Sequence, residues 1–80
     1  MFKIIRINDN KTFKVESYKF VVFNKDGRGK ELIDNPEIGT SLILPPYNAF
    51  TQWLTSPIVS IVDDYNFDTK NSTYQITKIE

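Results

Sequence analysis

The sequence predicts an all-β fold, a small antiparallel barrel or a strongly bent sheet of about five to six strands. Three observations carry this. Short runs of β-branched and aromatic residues recur along the chain, cut by Gly, Pro, Asn and Asp. No window keeps a helical apolar period over successive turns. The 80 residues suit one domain, and six Phe, four Tyr and one Trp can fill a thin core.

Phe2 to Ile7 reads as the first strand, ended by Asn8-Asp9-Asn10-Lys11. Thr12 to Phe23 reads as a long second strand. Phe13 and Val15 share one parity with Val21 and Phe23; Tyr18, Phe20 and Val22 share the other. The dominant parity switches near Ser17-Tyr18. That predicts a bulge or sharp bend there, or a strand buried on both faces from Tyr18 onward. Asn24 to Lys30 is the strongest break in the chain. Its Asp26-Gly27 is a hairpin signal, and its glycines and charges predict a long, mobile loop.

Leu32 and Ile33 fit a short strand or one helical turn, followed by a turn at Asp34-Asn35-Pro36-Glu37. Thr40 to Leu44 is a short strand stopped by Pro45-Pro46, and Tyr47 to Thr51 is a loop. Gln52 to Val62 reads as the next strand. Pro57 lies inside it and cannot donate to a ladder, so this point is an edge or a bulge. Asn66 to Thr69 and Ser72 to Ile79 form a hairpin about Lys70-Asn71, with Asn71 suited to a left-handed turn position. Among known architectures the SH3-like barrel fits first. The OB-fold fits second, because it usually wants a helix between its third and fourth strands.

Composition removes whole classes of chemistry. With no Cys, the chain has no disulfide, no thiol nucleophile and no zinc knuckle. With no His it lacks the usual general base at neutral pH and the commonest transition-metal ligand. No apolar run approaches the ~20 residues that cross a bilayer, and the N-terminus is too charged for a signal peptide. The expectation is a cytoplasmic, non-enzymatic protein without cofactor or membrane partner.

The net charge of zero hides a segregation. Residues 1–30 hold eight Lys/Arg against three Asp/Glu, whereas residues 31–69 hold six Asp/Glu and no Lys or Arg. Such segments pair within the chain, pair with a second subunit, or steer an anionic ligand to one side. Lys3 and Arg6 point to opposite faces by parity, as do Lys14 and Lys19, which counts against a duplex-binding stripe. A chain this small gains core by sharing an interface, so a homo-oligomer is expected.

Several residues could hold a ligand. Gly27-Arg28-Gly29-Lys30 lacks the Ser/Thr of a phosphate loop, but Arg28 and Lys30 can still reach phosphate oxygens. Tyr47 and Trp53 offer rings for stacking or anchoring, or else close the end of the barrel. Thr69-Lys70-Asn71-Ser72-Thr73-Tyr74 puts Asn71, Ser72 and the ring of Tyr74 at a hairpin tip; alternatively its polar groups satisfy their own turn. Asp63, Asp64 and Asp68 read as polar residues ending a strand more readily than as a cation site.

The run Trp53-Leu54-Thr55-Ser56-Pro57-Ile58-Val59-Ser60-Ile61, with Thr69 to Tyr74, resembles the C-terminal half of small SH3-like proteins of phages and mobile elements. Those show a T-S-x-V stretch followed by T-x-N-S-x-Y. The resemblance covers roughly residues 53–76 and brings no catalytic residues. It implies a compact β-barrel in a viral setting, where many very small proteins inhibit or sequester host components. The resulting expectation is a non-enzymatic phage-type inhibitor acting on a host defence or regulatory component. It would block a protein surface or sequester a nucleotide-like signal through Arg28, Lys30, Tyr47, Trp53, Asn71, Ser72 and Tyr74. A single-stranded nucleic-acid binding module is the alternative.

Overall fold

The computed structural model describes residues 1–45 and 54–79. These form an all-β, wholly antiparallel structure of eight strands: β1 (Phe2–Arg6), β2 (Lys11–Val15), β3 (Lys19–Phe23), β4 (Gly29–Ile33), β5 (Ser41–Ile43), β6 (Ile58–Asp63), β7 (Asn66–Thr69) and β8 (Thr73–Lys78). No helix long and apolar enough to cross a membrane is present among the described residues. The strands make a five-stranded sheet in the order β2-β1-β8-β7-β6 and a three-stranded sheet in the order β4-β3-β5.

The parity switch at Ser17-Tyr18 is where the chain leaves one sheet for the other. The expected second strand is therefore two strands, β2 in the first sheet and β3 in the second. Phe20 and Val21 are both buried, so β3 is also covered on both faces. Of the two readings open for Leu32 and Ile33 the strand holds: they end β4, which starts earlier than expected at Gly29 and is mostly exposed.

Barrel closure is not detected; the sheets meet instead at one seam. There residues 54–58 run beside 39–43: Leu54 bridges Ile43, Thr55 N–H donates to Leu42 C=O at 3.0 Å, and Ile58 N–H donates to Thr40 C=O at 2.8 Å. Pro57, expected at an edge or bulge, precedes β6, which is an edge strand.

Alternation on β1 and β8 turns Ile4, Tyr74 and Ile76 inward, where they meet Phe20, Leu42, Leu44, Ile58 and Phe67. Rings run across the core in sequence. Phe2 meets Tyr18 edge-on at 5.0 Å, Tyr18 meets Phe20 at 5.8 Å, Phe20 meets Phe67 at 5.6 Å, and Phe67 stacks on Tyr74 at 6.0 Å. Each such pair adds about 0.5–1.5 kcal/mol beyond its buried area. Two buried threonine hydroxyls are satisfied: Thr55 Oγ1 accepts from Leu42 N–H at 2.9 Å, and Thr40 Oγ1 donates to Glu37 C=O at 2.7 Å.

The left-handed turn residue is not Asn71. Among the described non-glycine residues only Asn10 has positive φ, at 57°, in the β1–β2 turn. Asn tolerates that conformation at low cost. Of the ion pairs among the described residues, Lys19–Asp34 joins the basic front to the acidic middle. Arg6–Asp9 and Arg28–Asp26 stay within the front third.

Candidate functional site

Among the described residues, the β3–β4 hairpin lines an open cleft that could hold a ligand. Its five-residue loop, Asn24 to Arg28, is shorter than expected and is closed by Gly27 N–H to Asn24 C=O at 3.0 Å and Asn24 N–H to Arg28 C=O at 2.8 Å. Gly27 has φ of 85°, which a side chain would strain. Asp26 caps the turn by accepting from Arg28 N–H at 3.0 Å, and its carboxylate also lies 3.8 Å from the Arg28 guanidinium.

Past the turn the ladder slips. Val22 pairs with Glu31 but Phe23 pairs with Gly29, so Lys30 is the extra residue of a bulge. A bulge re-aims the side chain it carries. Here Lys30 joins Val22, Phe23, Asn24, Lys25 and Asp26 around an open cleft of about 560 Å³. The cleft has an apolar wall with one aromatic ring, two ammonium groups, and a carboxylate already engaged by Arg28. Such a lining suits an anion attached to a planar or apolar group.

The other expected ligand residues are placed differently. Arg28 lies beside the cleft on the loop, with its side chain 86% exposed. Asn71 and Ser72 lie on the five-stranded sheet, in the β7–β8 turn, and their backbone is tied down. Thr69 Oγ1 accepts from Ser72 N–H at 3.1 Å and donates to Ser72 C=O at 3.0 Å. Ser56 Oγ donates to Thr69 Oγ1 at 2.9 Å and accepts from Asn71 N–H at 3.2 Å. Tyr74 is 4% exposed, stacked on Phe67 and hydrogen-bonded to Arg6. Tyr47 and Trp53 lie outside the described residues. Thus Arg28 and Lys30 come together, while Asn71, Ser72 and Tyr74 belong to the other sheet.

Five lining residues were not among those expected: Val22, Phe23, Asn24, Lys25 and Asp26. The Asp26-Gly27 hairpin signal pointed to the loop. What it could not give was the slip that turns Lys30 toward the Phe23 side.

The acidic side chains have structural work of their own. Asp63 Oδ1 accepts from Tyr65 N–H at 2.8 Å and from Asn66 Nδ2 at 2.9 Å. Asp68 accepts from Thr73 Oγ1 at 2.7 Å. The Asn66 amide, followed by the Tyr65 N–H, holds the Asp63 carboxyl below the usual carboxylate range. No family model matches the chain, and neither the curated proteins nor the solved structures hold a match.

Proposed function

We propose that the chain is a non-enzymatic binding protein of phage type that captures a nucleotide-like, phosphate-bearing signal used by a host defence or regulatory component. The cleft beside the β3–β4 hairpin carries this reading. It sets Lys25 and Lys30 beside the Phe23 ring, where phosphate oxygens and a base need a charge and a flat apolar wall. Blocking a protein surface, the other mode open to such an inhibitor, does not call for a cleft with two cations.

The test is direct. Protein purified without stripping is examined by its 260/280 nm absorbance ratio and native mass spectrometry. Stripped protein is then titrated calorimetrically with a panel of mono- and dinucleotides and with inorganic phosphate. A charge-assisted hydrogen bond contributes about 1.5–3 kcal/mol. Lys30→Ala should therefore weaken a nucleotide from the panel about tenfold or more. Protein that co-purifies with nothing and ignores the whole panel refutes capture. Tight binding to a short oligonucleotide, falling steeply with salt, would favour the single-stranded nucleic-acid alternative.

A further inference from the structure

The five-stranded sheet packs one face on the core, and among the described residues no other element covers its second face. Because Ile4 points inward, Lys3 and Ile5 point outward, and Lys14 lies directly opposite Lys3 in the β1–β2 register. On the far side, Asp68 lies opposite Thr73 and Asp63 opposite Asn66, with Asp64 in the adjoining turn. The outer face is basic along β1 and β2 and acidic along β6 and β7. Among the described residues, none of these five charged side chains is in an ion pair. Like charges directly opposite each other, as at Lys3 and Lys14, weaken a ladder unless something neutralises them.

The acidic side also carries exposed apolar groups. Ile58 and Ile61 turn inward, so Val59 and Val62 turn out and are 57% and 77% exposed. Both valines are extra residues of bulges, since the β6–β7 register slips between Ile58 and Ser60 and again between Ile61 and Asp63. Bulges on β6, and Lys11 and Lys14 on β2, defend the two edges of this sheet against strand addition. The face itself has no such defence.

We propose that this face binds a second copy of the same chain across a twofold axis running along β8. β8 is the middle strand of the five. A half-turn about it therefore exchanges the two sides of the sheet and lays the Lys3/Lys14 side of each copy over the Asp63/Asp64 side of the other. The contact is isologous and closes on itself, so it makes a dimer and not a fibre. Five strands ~4.8 Å apart, each ~17 Å long, present roughly 400 Å² in projection. Counted over both copies that is about 800 Å², below the ~1,200 Å² of standard specific interfaces, so the dimer is weak, transient and salt-sensitive.

Sedimentation velocity and equilibrium on the full chain test this, independently of what the cleft binds. Wild-type protein should self-associate at low salt, with the dimer dissociating at least about tenfold more readily near 1 M, where the screening length falls to ~3 Å. A chain carrying Lys3→Glu with Lys14→Glu, and a second carrying Val62→Lys with Asp64→Lys, should each be monomeric. Mixed, they should form the heterodimer, because each supplies the charge that the other has reversed. Wild-type protein that stays monomeric at low salt and high concentration overturns the proposal. So does a dimer that neither pair of substitutions weakens, or a mixture of the two variants that does not associate.

Discussion

The β7–β8 turn and the β3–β4 hairpin look alike as sequence. Both are polar and rich in hydrogen-bonding groups, and both drew expectations of ligand contact. Their structures spend those groups differently. At the β7–β8 turn, the Thr69 hydroxyl is bonded to Ser56 and Ser72, and Ser56 reaches on to Asn71. At the β3–β4 hairpin the backbone closes the loop with help from Asp26, and Lys25 and Lys30 are left facing a cleft. A polar turn that uses its side chains to build itself has few left for a partner. A turn closed by its backbone and a glycine keeps them.

This contrast breaks first at Thr69. The residue is 5% exposed, and Thr69→Val keeps its shape while removing all three side-chain hydrogen bonds. Stranding the half-buried groups of Ser56 and Ser72 costs about 1–3 kcal/mol. For a domain of this size each kcal/mol lowers Tm by about 4–8 °C. The melting temperature should fall accordingly, while nucleotide binding at the β3–β4 cleft stays unchanged.

Next in size is Gly27→Ala. A Cβ there meets nothing within 4 Å, so only the left-handed backbone is at issue. The cost is about 1–2 kcal/mol, read from a urea midpoint. Unlike the Thr69 variant, this one should also weaken nucleotide binding, because relieving the strain reshapes the loop that carries Lys25. Replacing Lys25 and Lys30 together by Ala completes the contrast. Both are exposed, so stability should move by no more than about 0.5 kcal/mol, while nucleotide binding at the cleft is lost. A large drop in Tm would mean that these lysines help hold the hairpin together, and the contrast between the turns would fail.

Much of the fold was legible because it rests on local rules. The parity switch at Ser17-Tyr18 marked the passage between sheets, Pro57 marked an edge, and Asp26-Gly27 marked the hairpin. What escaped depends on pairing between distant segments. Nothing local in Lys30 says that it is the bulged residue; that follows from how β3 and β4 slide past each other. Gly29 to Ile33 becomes a strand because β3 offers an edge, despite its unpromising composition. Asn71 was the residue expected in left-handed backbone, yet Asn10 takes that conformation, while the β7–β8 turn is tied down by the Ser56 and Thr69 hydroxyls. The Tyr74 ring read as a ligand contact at a hairpin tip, and only the β1–β8 and β7–β8 registers together turn it into the core.

The smallest effect extends the contrast to the acid limb of stability. Two more turns of the five-stranded sheet are built with carboxylates. Asp9 caps the β1–β2 turn, bonded to the Arg6 guanidinium and to Lys11 N–H, and Asp63 caps the β6–β7 turn. Arg6 and Asn66 respectively hold the two carboxyls below their ordinary value of 3.8. A depressed carboxyl binds fewer protons in the folded chain than in the unfolded one. Its contribution is therefore present above the ordinary carboxylate range and lost as the pH falls through the folded value. Both groups are exposed to solvent, so each contribution is small and screened by salt. Asp9→Asn with Asp63→Asn should narrow the gap between the urea midpoints at about pH 7 and pH 3, and high salt should narrow it in the wild type. An unchanged gap would mean that these caps hold their turns by geometry alone, and that charge on the five-stranded sheet is free for the contacts between copies.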